Sequence, residues 1–539
     1  MGVISIDVAL FKKMVTNGAI NLKNNHAEVD LLNVFPVPDG DTGTNMSMTA
    51  ISGIRELENC ESSSIVEAAK VLSRGCLMGA RGNSGVILSQ FFRGLYVGIK
   101  ELQHNYLTIE DLMTCLESGR KIAYKAVMEP VEGTILTVVR VSAEKTRENF
   151  EKFTTIEELL EFYLASAIET LNDTPNLLPV LKEAGVVDSG GAGFVKIIEG
   201  MVMALRGEIL EVQDTDVKKP EVQAINVEDI KYFYSINYEL ELKKPDQFEI
   251  RELKAALSLV GENLSVERDN NIVKTHINTN RPGRVIDISQ KQGEFQVLTI
   301  DNLKYQAKKQ EMEAEKPSPK KPFGLIAVCF GEGISQTFRD LGVDYVIEGG
   351  QTMNPSTEAF VEAIKKVNAE NVIIIPNNSN VIMAANQAKG LVSDTNVEVL
   401  KAKTMAQGYV SLVNYNPEAT LEENMAAMQA QVESVTSGEI TYSIRDTEIG
   451  GVKIQSGDYM GISNGEILVS TKEKSVCLKE LLKKIVKEDS EIITFFLGAD
   501  ITEEEADALE DICTELNPSI DVEVVDGKQE IYSYIIAVE

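Results

Sequence analysis

Histidine is scarce: His26, His104 and His276 are the only three in 539 residues. A catalytic centre built on imidazole therefore has few candidates. The six cysteines are scattered and form no Cys-x-x-Cys pair. This argues against a disulfide framework and a cysteine-rich zinc site, and it leads us to expect reduced thiols in a cytoplasm. No apolar run approaches the ~20 residues of a membrane span, so no integral membrane segment is expected. The opening Met1-Gly2-Val3-Ile4-Ser5-Ile6 has no basic stretch ahead of a long apolar one, and Ile6 breaks the myristoylation pattern. Basic residues are in deficit: 52 Lys and Arg against 83 Asp and Glu leave a net charge of −31. That field repels nucleic acid and anionic membranes, so neither is an expected partner. The Gly-Lys-Ser/Thr of a P-loop occurs nowhere.

What is present centres on Asn33-Val34-Phe35-Pro36-Val37-Pro38-Asp39-Gly40-Asp41-Thr42-Gly43-Thr44-Asn45-Met46. Two prolines stiffen the approach. Asp39 and Asp41 flank Gly40, which permits a bend that turns both carboxylates toward one point. Hard oxygen ligands so spaced suit Mg²⁺ with substrate phosphates. A helix follows, with Thr42 or Thr44 as its cap and Met46, Ala50, Ile51, Ile54 and Leu57 at helical spacing. Its N-terminus offers free N–H groups to phosphate. Turn chemistry alone would also account for Asp-Gly-Asp.

Three further runs lie in the helical part, residues 1–208. Ser73 to Gly85 carries Gly79, Ala80, Arg81, Gly82, Asn83, Ser84 and Gly85, a glycine loop leading into a helix striped by Ile87, Phe91 and Leu95. Ala126 to Thr137 reads as a helix end, a turn and a new helix near Thr134, without chemistry of its own. Leu181 to Phe194 places Asp188 before a glycine cluster, as a helix cap or a nucleotide contact.

Polar, aperiodic stretches divide the remainder. We expect a linker at 209–227, a small α+β domain at 228–306, a charged Pro-bearing linker at 307–322 and an α/β domain at 323–539. In the middle domain, Tyr232–Leu242 and Ile272–Asn278 read as strands, Phe248–Leu259 as a helix, and Arg281-Pro282-Gly283 as a turn. In the last domain, Gly349 to Thr357 and Pro376 to Asn380 follow predicted parallel strands. They are either ligand loops or plain turns.

The motifs of the first domain resemble the nucleotide-binding subunit of dihydroxyacetone kinases, and the whole chain resembles the catalytic subunit of bacterial fatty acid kinase. The resemblance implies a multidomain protein: an all-α helical barrel, a small α+β middle domain and a DegV-like α/β domain. It implies ATP and two Mg²⁺ as cofactors, and phosphoryl transfer to a fatty acid carboxylate presented by a separate DegV-type acyl-binding partner. The acyl phosphate would feed phospholipid synthesis, and the chain would be a homodimer. By position, Asp39 and Asp41 are metal ligands, with Asp30 or Asn33 as a third. Thr42, Thr44, Asn45 and residues 79–85 contact phosphates, and Thr134 and Asp188 touch nucleotide. Arg81, read from its charge alone, either neutralises transition-state charge or fills a surface or capping role. The family's zinc site in the middle domain uses Cys and His-x-His. Here Ser235, His276 and Asn278 stand at those places, so zinc is not expected. A small-polyol kinase and a lipid-binding scaffold are the alternatives. The loops at 349–357 and 376–380 are the expected docking surface for the acyl-carrying partner.

Overall fold

The computed structural model describes residues 2–34, 40–212, 233–245, 248–269, 271–302, 320–350, 354–443, 446–449 and 451–539. Contacts divide the chain into two compact units, residues 1–213 with 320–539, and residues 214–319.

The first unit opens with a helical domain: α1 (Val8–Asn24), α2 (His26–Leu31), α3 (Thr42–Glu58), α4 (Ile65–Met78), α5 (Gly82–Ile99), α6 (Ile109–Lys125), α7 (Ile135–Glu148), α8 (Ile156–Leu177), α9 (Pro179–Ala184) and α10 (Ser189–Leu205). Local chemistry starts many of them. Asp7 accepts from Leu10 N at 2.8 Å, and Thr108/Asp111 and Thr155/Glu158 form capping boxes. A short antiparallel pair, β1 (Ile6–Asp7) with β2 (Tyr106–Leu107), ties the start of α1 to the start of α6.

Eight of these helices close into a ring. α1 packs on α3, α3 on α4, α4 on α5, α5 on α6, α6 on α7, α7 on α8 and α8 on α10, and α10 returns to α1. Closure needs close approach where α10 meets α1. A Cβ on Gly200 would lie 2.6 Å from Asn17 O, and one on Gly18 2.7 Å from Ile197 O, so only glycine fits there. Inside the ring, Phe194 stacks edge-on to Phe91, with centroids 5.0 Å apart, and to Tyr163 at 6.4 Å.

The described residues of the second unit form an antiparallel four-stranded sheet with two helices, α11 (Ile250–Ser258) and α12 (Pro282–Ser289). Its strands are β3 (Tyr234–Leu242), β4 (Gly261–Asp269), β5 (Ile272–Thr279) and β6 (Gly293–Asn302), in the order β4-β5-β3-β6. Arg281-Pro282-Gly283 does not turn the chain: Pro282 opens α12, because its fixed φ and missing N–H suit the first helical position. Ser235 stands opposite Asn278, and Asn237 opposite His276, whose Nδ1 is 2.8 Å from Asn237 Oδ1. Among the described residues, no group of three or more His, Cys, Asp or Glu is placed to hold a metal.

From Lys320 the described residues of the first unit resume with two larger sheets and a two-stranded one that pairs Thr447–Ile449 with Val452–Ile454. One is parallel, in the order β10-β9-β7-β8, with β7 Lys321–Cys329, β8 Tyr345–Glu348, β9 Ala369–Ile375 and β10 Asn396–Val399. Helices Glu332–Asp340, Thr357–Val367 and Ser379–Lys389 alternate with its strands. The order expected from the apolar runs is present, with β7 starting at Lys321. The other sheet has six strands, is mixed, and runs from Thr436 to Val538. Leu325, Ala327 and Ile373 of the parallel sheet share one core with Phe496, Ile535 and Ala537 of the mixed one.

Tyr163 is fully buried, and its hydroxyl has no partner among the described residues. Burying an unpaired hydroxyl costs about 1–3 kcal/mol. Tyr163→Phe is therefore expected to raise the urea midpoint of the helical domain. A lower midpoint would show that the hydroxyl has a partner in solution.

Candidate active site

Neighbouring helices in the ring alternate in direction. α3, α5, α7 and α10 are every second member, so their N-termini gather at one end. A cavity of about 850 Å³, counted to its open mouth, lies there. Thr42 and Asn45 reach it from α3, Asn83 and Ser84 from α5, Ile135 and Leu136 from α7, and Ser189 and Gly190 from α10. Helix N-termini present unpaired N–H groups and a partial positive charge, so this end is built for an anion. The carboxylates of Asp41, Glu129 and Asp188 line it too. No Lys, Arg or His is among the described lining residues.

Asp41 sits at the N-cap of α3, 6% exposed, and lines the cavity. Its partner carboxylate Asp39 lies outside the described residues, as do Phe35 to Pro38. Gly40 holds φ +65°, the left-handed region that favours glycine. Neither threonine caps α3 with its own side chain. Asp30, on α2, takes that part: Thr44 N donates to its Oδ1 at 3.0 Å and Thr44 Oγ1 to its Oδ2 at 2.7 Å. Asp30 thus meets the site as the acceptor that fixes α3, and Thr44 is absent from the described lining. Asn33 is in the lining, buried, with its Oδ1 3.5 Å from Ser189 Oγ.

The glycine loop splits by function. Asn83 and Ser84 face the cavity. Gly82, at φ +58°, turns the chain into α5, and a Cβ there would meet Asn45 Nδ2 at 2.6 Å. Gly79, Ala80 and Gly85 act as backbone spacers, Gly85 passing so close to α3 that a Cβ would lie 2.4 Å from Thr49 Oγ1. Arg81 turns away from the described lining. Its Nη1 donates to Asn354 O at 2.9 Å, across to the parallel-sheet domain, and burial lowers its pKa while Glu358 opposes the shift.

The run from Ala126 to Thr137, silent as chemistry in the sequence, supplies Val127, Glu129, Val131 and Thr134 to the cavity wall. Thr134 Oγ1 donates to Val131 O at 2.7 Å, and Arg140 Nη2 binds Glu132 Oε2 at 2.7 Å, so the loop is pinned from α7. Asp188 takes the cap role, its Oδ2 accepting from Gly191 N at 2.7 Å at the start of α10, and it also lines the cavity. Burial pushes its carboxyl up to about 7, against hydrogen bonds from the Gly191 and Ile135 backbones.

Sequence reading missed the contribution of the parallel sheet. Of the loop after β8, Gln351 to Met353 lie outside the described residues; Asn354 and Thr357 reach the helical domain. Asn354 Nδ2 donates to Asp41 Oδ2 at 2.6 Å. Thr357 N donates to Ala80 O at 3.1 Å. From the first turns of the helix Ser379–Lys389, which follows β9, Asn380 and Met383 line the cavity, and Asn83 Nδ2 donates to Asn380 Oδ1 at 3.0 Å. These loops, expected to receive another protein, are engaged by the chain's own α4–α5 corner. Asparagine in a turn looks the same from sequence whether it turns the chain or reaches a site.

Comparison with known proteins follows this geometry. Residues 36–203 match the DAK2 domain, residues 231–310 the middle domain of FakA-like fatty acid kinase chains, and residues 324–539 the FakA-like C-terminal domain. Protein YloV of Bacillus subtilis is 42% identical over 556 aligned residues, covering 100% of both chains. Among solved structures, a DegV family protein of Corynebacterium glutamicum matches 40% of this chain and 96% of its own, at 15% identity and TM-score 0.31. The dihydroxyacetone kinase of C. freundii matches 41% of this chain and 48% of its own, at 14% identity and TM-score 0.30. With its kinase-related DAK2 domain and full-length identity to such relatives, the chain belongs to the FakA-like family of fatty acid kinase proteins.

Proposed function

We propose that the protein transfers the γ-phosphoryl group of ATP to a fatty acid carboxylate, presented by a separate DegV-type acyl-binding protein, to give an acyl phosphate for phospholipid synthesis. The observation that carries this reading is the convergence of four helix N-termini on a cavity that also holds Asp41. The N–H groups favour phosphate oxygens, and the carboxylate favours a cation between them.

The residues present fit Mg²⁺. The described polar lining is all oxygen and amide chemistry: Asp41, Asn33, Asn45 and Asn83, with Asn83 Oδ1 buried and unpartnered. Hard oxygen donors of this kind select Mg²⁺ over softer metals. A triphosphate among Asp41, Glu129 and Asp188, with no Lys or Arg in the described lining, needs cations for neutrality. Asp39 and Asp41 would hold them, two ions on the family pattern, and Asp30 would steady α3 through Thr44. Bound there, Mg²⁺ supplies charge neutralisation and in-line orientation for phosphoryl transfer.

The chain's own residues bind and position. Backbone N–H groups at Asn83 and Ser84 face the phosphates, while Ile87, Val127, Ile135, Leu136 and Met383 offer an apolar wall to the nucleoside. Asp188 caps α10 and reads the phosphate side; Thr134 shapes the α7 entry. A fatty acid carboxylate is ionised at neutral pH and needs no general base, which agrees with the absence of histidine from the described lining. Its tail, at roughly 0.8 kcal/mol per CH₂ kept from water, calls for burial in a second protein. We place the complex in the cytoplasm, as a homodimer; among the described residues no helix is long and apolar enough to cross a membrane.

Trapping acyl phosphate with hydroxylamine tests the reading. Product should form with ATP, Mg²⁺ and the acyl-loaded partner, and Asp41→Asn should reduce it by at least about a hundredfold, as loss of one preorganised electrostatic contact does. Turnover of dihydroxyacetone or glycerol without acyl hydroxamate would replace the acceptor with a polyol. Equal rates without the partner would remove the partner from the reaction.

Asp188 gives a separate pH test. Its folded pKa, about 7, lies above that of an unfolded aspartate. The native state therefore holds a proton that the unfolded state has lost, and stability from this group falls as pH rises from about 4 through 7. Asp188→Asn keeps an acceptor for Gly191 N and does not titrate. Relative to wild type, the nucleotide-free variant should gain stability at pH 8 and show little change at pH 4. An equal difference at both values would place the Asp188 pKa near its ordinary one.

A further inference from the structure

Asn354 is held from three directions. Arg81 Nη1 donates to its backbone oxygen at 2.9 Å, Thr357 N anchors the following turn on Ala80 O at 3.1 Å, and its own Nδ2 donates to Asp41 Oδ2 at 2.6 Å. The residue is 1% exposed, and its Oδ1 has no partner among the described residues. A fully buried amide oxygen with nothing to accept from is rare in folded proteins and asks for an explanation, such as a ligand, ion or water that completes it. The amide is planar, so this free oxygen lies one short amide width from the nitrogen that grips Asp41. Asn83 repeats the pattern across the domain contact: Nδ2 is spent on Asn380, and Oδ1 is buried without a partner. The chain thus orients two amide groups by their nitrogens and leaves both oxygens unpaired among the described residues, one beside the Asp41 carboxylate and one on a residue of the cavity wall.

We propose that Asn354 is a positioning residue of the metal–phosphate site, supplied in cis by the C-terminal sheet domain. Its N–H orients Asp41, and its Oδ1 offers an acceptor to the hydrated Mg²⁺ that Asp41 holds. This rests on the reading of Asp41 as a metal ligand. Partners that orient a ligand carboxylate set metal affinity nearly as strongly as the ligand itself. The nucleotide site is then shared between the two ends of the chain, and the middle domain is an insertion between its halves.

Mn²⁺ serves as the probe, titrated by electron paramagnetic resonance against the full chain without nucleotide. Asn354→Ala should weaken Mn²⁺ binding by ~10–100-fold, the usual effect of removing such a support. Asn354→Asp should melt below wild type in EDTA, because two carboxylates then face each other. Mn²⁺ should raise its melting temperature by more than it raises that of wild type. Unchanged Mn²⁺ affinity in Asn354→Ala, with only a lower melting temperature, would reduce the contact to a domain clasp and overturn the proposal. So would a metal-induced shift in Asn354→Asp no larger than wild type's, and this arm decides the matter if the alanine variant fails to fold. Wild type that binds no Mn²⁺ would overturn the metal-site reading and this inference together. Wild type that binds, with variants indistinguishable from it, would overturn this inference alone.

Discussion

Alternation of helix direction around a closed ring is the constraint on which the rest depends. Eight helices that run up and down must gather four N-termini at one end. Each brings first-turn N–H groups, some of them taken by Asp30 and Asp188, and roughly half a positive charge. In a chain carrying −31, that end is a place where an anion is welcome without lysine or arginine. On the function we propose, the carboxylates then acquire a purpose: beside four helix N-termini, Asp41 and Asp188 would make a site for anion and cation together. Gly18 and Gly200 let α10 close on α1, so the packing of small residues far from the cavity sets where its walls stand.

The ring also explains why four runs far apart in sequence belong to one site. Asn33–Met46, Ser73–Gly85, Ala126–Thr137 and Leu181–Phe194 each contain a linker that enters α3, α5, α7 or α10. Their spacing is the length of a helix up and a helix down. The run with no recognisable chemistry, Ala126–Thr137, is there for the same geometric reason as the acidic one and supplies Val127, Glu129 and Val131.

Much of this was legible from residue patterns. Helical spacing marked the first domain, alternating apolar runs marked the parallel sheet, and Asp-Gly-Asp marked the acidic loop. Three things were not legible. Pro282 reads equally as a turn former or a helix start, and only the following contacts decide. Asp30 lies 14 residues from Thr44, too far for local capping rules, so its hold on α3 appears only in three dimensions. Asn354 meets Asp41 across 313 residues of chain, and no period or spacing encodes such a contact. The loops after β8 and β9 were rightly placed at strand ends, while their occupant was not foreseen, because a polar loop carries no record of what it faces.

The account's central claim is that one triphosphate with its cations engages all four helix N-termini at once. Hydrogen–deuterium exchange on the full chain, with and without a non-hydrolysable ATP analogue and Mg²⁺, tests it most directly. The account predicts slowed exchange together at the starts of α3, α5, α7 and α10, absent when EDTA replaces Mg²⁺. Protection confined to one of these segments, or appearing in the middle domain instead, would contradict it.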